Sequence, residues 1–208
     1  MRLPLIKERG ENLVGDRRAR LRIVMPVLVV LALFLCAQSA FAQTRPLLSE
    51  VFESLVTVQV TGAGGEVSEG VGEVAFNQPA GQARERYLFH GDPPTEIITR
   101  YDLGKIFSID PPSCDVTEVA GPMPLTWGWV AGAKQENAVV INGIPYTEWV
   151  FRDVDGSQKT VAATSDGTIP AYYQVSTPEK TVRLTFLNWQ TTFNQKKKAL
   201  KPPNHCPK

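Results

Sequence analysis

Very little in this chain is equipped for chemistry. Its 208 residues include two histidines and three cysteines, and none of the spacings that a zinc site needs. No G-x-S-x-G elbow occurs, and no cysteine stands in a protease-type context with a histidine. Carboxylates are scattered singly, so no pair reads as the acid and nucleophile of a glycosidase. His90 falls in a strand and His205 beside Cys206, and neither shows the partner that a general base requires. The Gly-rich run TGAGGEVSEG (61–70) lacks the Lys-Ser/Thr and the helix that follow a phosphate cradle, and it reads as a turn or mobile loop. A basic stripe and a reader motif are both missing, which excludes nucleic acid. These absences predict a non-catalytic protein with no cofactor. One metal reading stays open. Asp153-x-Asp155-Gly156 resembles the start of a calcium loop, although its twelve-residue register ends at Thr164 instead of a glutamate, and a hairpin turn explains Asp155-Gly156 without a metal.

What is present begins with an addressing segment. Arg17, Arg18, Arg20 and Arg22 precede an apolar run from Ile23 to Leu35, and Ala40-Phe41-Ala42 forms a small-x-small cleavage site before Gln43. Residues 1–42 are read as a secretory signal peptide; a membrane anchor is the rival, opposed by an apolar run too short to span a bilayer with ease. The expected product is a secreted, extracellular protein of residues 43–208. It forms a single domain with 15 basic and 18 acidic residues, a net charge of about −3. No N-x-[ST] sequon falls in it. Processing leaves two cysteines, Cys114 and Cys206, and an oxidising compartment favours their pairing. The tail after Trp189 is rich in lysine and proline. Lys196, Lys197, Lys198 and Lys201 read as a solvated segment, with an anionic lipid or glycan surface as the alternative partner.

The body of the chain alternates. Segments YTEWVFRD, QKTVAATS, TIPAYYQVS and TVRLTFLNW, separated by turns, predict a four-stranded antiparallel meander from Tyr146 to Trp189, because strand side chains alternate between faces with period two. Trp149 and Phe151 share a face with Thr147, while Tyr146, Glu148 and Val150 take the other. Ile169, Ala171, Tyr173 and Val175 share a face of the third strand, and Val182, Leu184 and Phe186 a face of the fourth. Further strands are predicted at Leu55–Val60, Val71–Phe76, Ala83–His90, Glu96–Asp102, Lys105–Asp110 and Ala138–Asn142. From Cys114 to Gly143 the pattern weakens, and the Trp127-Gly128-Trp129 stretch reads as a loop or short helix covering the sheet. The fold class is mostly β: a curved antiparallel sheet, as a half-barrel or two stacked sheets, with little helix.

An apolar face this wide must be covered by something. For any single ring an ordinary core is the bland reading. A sheet that curls only partly closed leaves a concave groove of the kind in which β-barrels hold small hydrophobic molecules. On that reading Trp149, Phe151, Tyr173, Leu184 and Phe186 line a site for a hydrophobic or lipid-like ligand. An adhesion or matrix protein with a filled core is the alternative, and a hydrolase the third.

The run YDLGKIFSIDPPSC (101–114), the segments WVFRDVDG and GTIPAYY, and the ending KPPNHC resemble ependymin-related secreted proteins, whose fold is similar to the periplasmic lipoprotein carriers LolA and LolB. The resemblance implies a LolA-like curved sheet with a deep apolar pocket for lipid-like ligands. It also implies a homodimer and calcium association, and it matches Cys114 and Cys206 to cysteines of that family. The family usually carries more cysteines and glycosylation sites than are found here.

Overall fold

The computed structural model describes residues 45–193, 200–202, 204 and 206. The expected signal peptide, Lys196, Lys197, Lys198 and His205 lie outside the described residues. Eleven strands make one antiparallel sheet: β1 (Val51–Gly62), β2 (Val67–Asn77), β3 (Gln82–Phe89), β4 (Thr95–Arg100), β5 (Lys105–Asp110), β6 (Ser113–Glu118), β7 (Lys134–Ile141), β8 (Ile144–Arg152), β9 (Gln158–Thr164), β10 (Pro170–Ser176) and β11 (Lys180–Phe186). Their order is β6-β5-β4-β3-β2-β1-β11-β10-β9-β8-β7. The chain therefore meanders outwards from β1 to the edge at β6, crosses over, and meanders back from the edge at β7 to β11 beside β1. No ladder joins β6 to β7, so the sheet stays open.

The expected curved antiparallel sheet is what the chain forms, as one sheet and not two. The predicted meander is β8 to β11, and its DG turns have the backbone that such turns demand, with Gly156 at φ 83° and Gly167 at φ 74°. Three local expectations are corrected. The Gly-rich run is a loop only at residues 63–66, because β1 runs to Gly62 and β2 starts at Val67. The weak stretch after Cys114 hides a strand, β6, and β7 begins at Lys134, four residues before the predicted start. Polar alternation without large apolar residues (SCDVTE, KQEN) concealed both. In β10 a register shift between Pro170 and Tyr172 moves Ala171 off the face of Tyr173, and it packs with Ala162 and Tyr172 on the opposite side.

Register sorts the side chains into rows. One face, called inner here, carries Phe52, Val56 and Val58 of β1, Val74 and Phe76 of β2, Tyr87 and Phe89 of β3, Leu184 and Phe186 of β11, Tyr173 of β10, Val161 of β9 and Trp149 of β8. These residues join one apolar cluster with Trp127 and Val130 of the crossover. Since β2 and β8 are five strand steps apart, ~24 Å on a flat sheet, their sharing of a cluster reflects how far the sheet curls around the crossover. Gly70 and Gly72 stand opposite Phe89 and Tyr87 on this face, and the missing side chains leave room for the rings.

The outer face is covered on one wing by the C-terminal segment. Leu200 and Cys206 are buried there against Ile98, Phe107 and Ile109, and Cys206 is disulfide-bonded to Cys114 with Cα atoms 5.2 Å apart. The bridge closes 92 residues of chain. On the other wing Tyr172 donates its hydroxyl to Glu148, and the Arg183 guanidinium lies 3.7 Å from the Tyr172 ring centre.

Candidate functional site

The crossover from β6 to β7 positions the site. Between Val119, which donates its N–H to Gly104 O at 2.9 Å, and β7, its backbone hydrogen bonds run only within the segment itself: Gly128 to Leu125, Val130 to Trp127 and Ala133 to Val130. These close a short 3-10 turn at Gly128–Gly132. Among the described residues one side-chain bond, from Gln78 Nε2 in the turn after β2 to Pro124 O, ties the segment to the rest of the domain, and apolar contact holds it otherwise. It is a strap laid across the inner face and pressed on by two tryptophans.

Trp127 is the centre of that contact, 7% exposed. Its ring lies 5.9 Å from Phe52, 5.7 Å from Tyr173 and 6.3 Å from Trp189, centre to centre, while Trp129 is 6.0 Å from Tyr173. Edge and tilted packings of this kind contribute about 0.5–1.5 kcal/mol per pair beyond area burial. The strap closes down at Gly132, where an added Cβ would lie 3.0 Å from Phe151 Cε2. The indole N–H groups of Trp127, Trp129 and Trp189 are all buried and have no acceptor among the described residues. A buried donor without a partner costs about 1–3 kcal/mol, so three on one face mark it as unusual.

All five residues expected to line a ligand site lie on this inner face. Trp149 and Tyr173 both pair with Val161, and Tyr173 also pairs with Leu184. Phe151 and Phe186 sit two residues further along their strands, and Phe186 meets Trp127 at 6.5 Å. Trp149 is 7% exposed and the other four are partly buried. The sequence reading missed the strap tryptophans as part of the same cluster, and it missed Phe52, Phe76 and Trp189, which stack together at 4.9 and 4.3 Å about Phe52. Phe52 could have been found, since it continues the Val56, Val58 and Val60 alternation backwards along β1.

One carboxylate of the inner face is sheltered from solvent, while Asp110 and Asp115 on the same face are exposed. Glu85 of β3 pairs with Val74 on one side and Ile97 on the other, and it accepts a hydrogen bond from the Tyr87 hydroxyl at 2.6 Å. Burial pushes its carboxyl above the usual carboxylate range, against the pull of that bond. Tyr87 is raised by burial and by Glu85. Burial, then the field of Glu85, pushes Tyr173 up to about 12.

Among the described residues three cavities open away from the strap. One of about 490 Å³ lies among Leu55, Val71, Leu88, Pro94 and Leu187 on the outer face, and it shares Val71 and Leu88 with a more polar one of about 760 Å³ that reaches Arg183, His90 and Asp92. The third, about 470 Å³, adjoins Val60 and Phe89. None of the three is lined by the five predicted residues. His90 is exposed just past the end of β3. Asp153 and Asp155 accept from backbone N–H groups of Val154 and Ser157 within their own turn. Among the described residues no group of three His, Cys, Asp or Glu could hold a metal ion.

An open, curled antiparallel sheet with one aromatic face under a side-chain-held strap defines the structural class. No family model matches the chain, and no curated protein does. Among solved structures it is similar to an uncharacterized conserved protein from Thermus thermophilus, at 12% identity and a TM-score of 0.51, over 76% of this chain and 88% of that one. It is also similar to the Pseudomonas aeruginosa MucA/MucB complex, at 14% identity and TM-score 0.43, over 76% of this chain and 57% of that one. A LolA superfamily protein from Nitrosomonas europaea matches at 7% identity and TM-score 0.37, over 75% and 92% of the two chains. At such identities the likeness concerns the fold alone, and of these three only the first exceeds a TM-score of 0.5.

Proposed function

We propose that this is a secreted, non-catalytic binding protein that holds a hydrophobic or lipid-like ligand between the inner face and the strap. The observation that carries the reading is how the strap is held. A cover bonded to the rest of the domain, among the described residues, by a single side-chain hydrogen bond can lift without breaking the β ladders, and lifting it uncovers a face of aromatic and aliphatic groups. An apolar chain replacing those contacts would be stabilised by about 25 cal/mol per Å² of buried apolar surface before the costs of binding. The unpartnered indole N–H groups suit a ligand that also offers acceptor oxygens. Trp149, Phe151, Tyr173, Leu184 and Phe186 are the proposed lining, with Trp127 and Trp129 as the cover. Kinship with the ependymin-related secreted proteins is part of this proposal and rests on the segments quoted above.

A second reading is favoured by one observation: Trp127 and Trp149 are each only 7% exposed, as in a filled core, and then the protein would act through its surface as an adhesion or matrix component. Mass spectrometry of an organic extract of the purified protein separates the two. A stoichiometric apolar molecule supports the binding function, whereas a clean extract together with failure of every apolar probe to bind would leave the surface reading.

A further inference from the structure

We propose that the inner face has a head-group site for a cationic amphiphile, in which Glu85 takes the ammonium group while the chain lies on the rings beneath the strap. This rests on the binding function proposed above and names the head group which that function leaves open.

Glu85 sits among aliphatic and aromatic neighbours. Its row across the sheet reads Ser54, Val74, Glu85, Ile97, Ser108, Asp115, so its immediate cross-strand neighbours are aliphatic. Along β3 its same-face neighbours are Ala83 and Tyr87. Tyr173, whose hydroxyl feels Glu85, packs in turn on Trp127 and Trp129. A carboxylate bonded to Tyr87, with the Tyr173 ring within reach of its field, is a pairing that recognises organic ammonium ions, since ring faces attract cations and the carboxylate supplies the counter-charge.

No cation of the protein takes that place among the described residues. Arg84 and Arg86, the chain neighbours of Glu85, project from the outer face, where Arg84 binds Glu96 at 2.6 Å and Arg86 borders the apolar cavity with Glu73. Lys159 is on the inner face but in the row of Val175 and Val182 at the far end of the strands, where it attends Asp155. His90 lies beyond the end of β3 and is exposed. Asp115 is three strands from Glu85 in the same row, ~14 Å along the sheet, and carries the same sign. The three ion pairs of the described structure are all elsewhere.

The head groups of simple amphiphiles then separate by charge. A fatty carboxylate meets Glu85 with like charge. An alcohol brings no charge and leaves the Tyr87–Glu85 hydrogen bond as it is. An alkylammonium ion pairs with the carboxylate, and at any pH where Glu85 starts out neutral its binding releases the carboxyl proton to solvent.

The test uses the full mature protein with N-phenyl-1-naphthylamine as a neutral apolar dye, displaced by dodecylamine, dodecanol and dodecanoate. In the wild type at about pH 8, dodecylamine should displace the dye at a concentration about tenfold below dodecanol, the size of one charge-assisted contact, with dodecanoate weakest. Glu85→Gln, a neutral shape-match for the protonated acid, should bring dodecylamine to the level of dodecanol and leave dodecanol unchanged. Calorimetry in buffers of different ionisation enthalpy should show proton release on dodecylamine binding to the wild type that grows as the pH is lowered from about 8 towards the ordinary carboxylate range, and none at any pH with Glu85→Gln. Equal ranking of amine and alcohol in the wild type overturns the proposal, as does an amine preference that survives Glu85→Gln or a loss of all three ligands together. Failure of the dye itself to bind overturns the binding function and this site with it.

Discussion

Tyr87 lies flat across Gly72 of the neighbouring strand: a Cβ built on Gly72 would sit 2.7 Å from Tyr87 Cδ1 and 2.6 Å from the Arg86 carbonyl oxygen. Gly70 stands in the same relation to Phe89, at 3.0 Å from its ring. The two glycines leave β2 without side chains where Tyr87 and Phe89 cross it, and each ring covers the backbone that glycine leaves bare. Gly72→Val should therefore destabilise despite valine's higher strand propensity, by about 1–3 kcal/mol, the range for overpacking. Chemical denaturation measures it, and a stabilised variant would refute the assignment of Gly72 to ring packing.

Trp149 is buried on β8 with Val161 beside it. Trp149→Ala is expected to lower stability by about 3–5 kcal/mol, as large core truncations do, and to weaken apolar-probe binding in the fraction that remains folded. A thermal melt read alongside the titration at a temperature below both midpoints keeps the two effects apart. Unchanged affinity in folded Trp149→Ala removes this residue from the site.

Glu85 makes stability depend on pH in a definite direction. Its folded-state carboxyl titrates above the ordinary 4.5, so between those two values the native chain holds a proton that the unfolded chain has lost. Stability contributed by the neutral acid is then complete below about 4.5 and is lost as pH rises through the raised value. Glu85→Gln should flatten that fall. Denaturation midpoints from about pH 4 to 8 test it, and an identical slope in both proteins contradicts it.

The Cys114–Cys206 bridge acts on the outer face, away from the strap. Replacing both cysteines with serine should cost up to about 4.5 kcal/mol by the chain-entropy estimate for this loop length, less if the denatured chain is already compact. Affinity for an apolar probe should be unchanged in the folded variant. A loss of affinity with the fold intact would tie the C-terminal segment to the site.

The strands with strong alternation were legible, and so was the face they share. TVRLTF and TEWVFRD place Val182, Leu184, Phe186, Trp149 and Phe151 by period alone, and the sheet bears this out. Pairing Cys114 with Cys206 followed from compartment and count, and the structure has that bridge. Polar edge strands were not legible: SCDVTE offers only Cys114 and Val116 at alternating positions, too few to read as a strand, and the segment with Leu200 that covers them is distant in sequence. Nor did Trp127-Gly128-Trp129 reveal which surface it covers, since a 3-10 turn has no face that a strand or helix period would expose. Glu85 looked like any strand carboxylate. Its setting comes from register with Val74 and Ile97 and from the reach of Tyr173 across the curl, a long-range fact that local sequence does not encode.

The most direct test of the strap-covered site is a titration of the mature protein with a fluorescent fatty-chain probe, followed by tryptophan emission and by amide hydrogen exchange of residues 120–132. One saturable site is predicted, with quenching of tryptophan emission as the probe binds and slower exchange of the strap amides in the bound state while the strands of the sheet keep their protection. Absence of saturable binding, or binding that leaves both the tryptophan emission and the strap exchange unchanged, would contradict the strap-covered site.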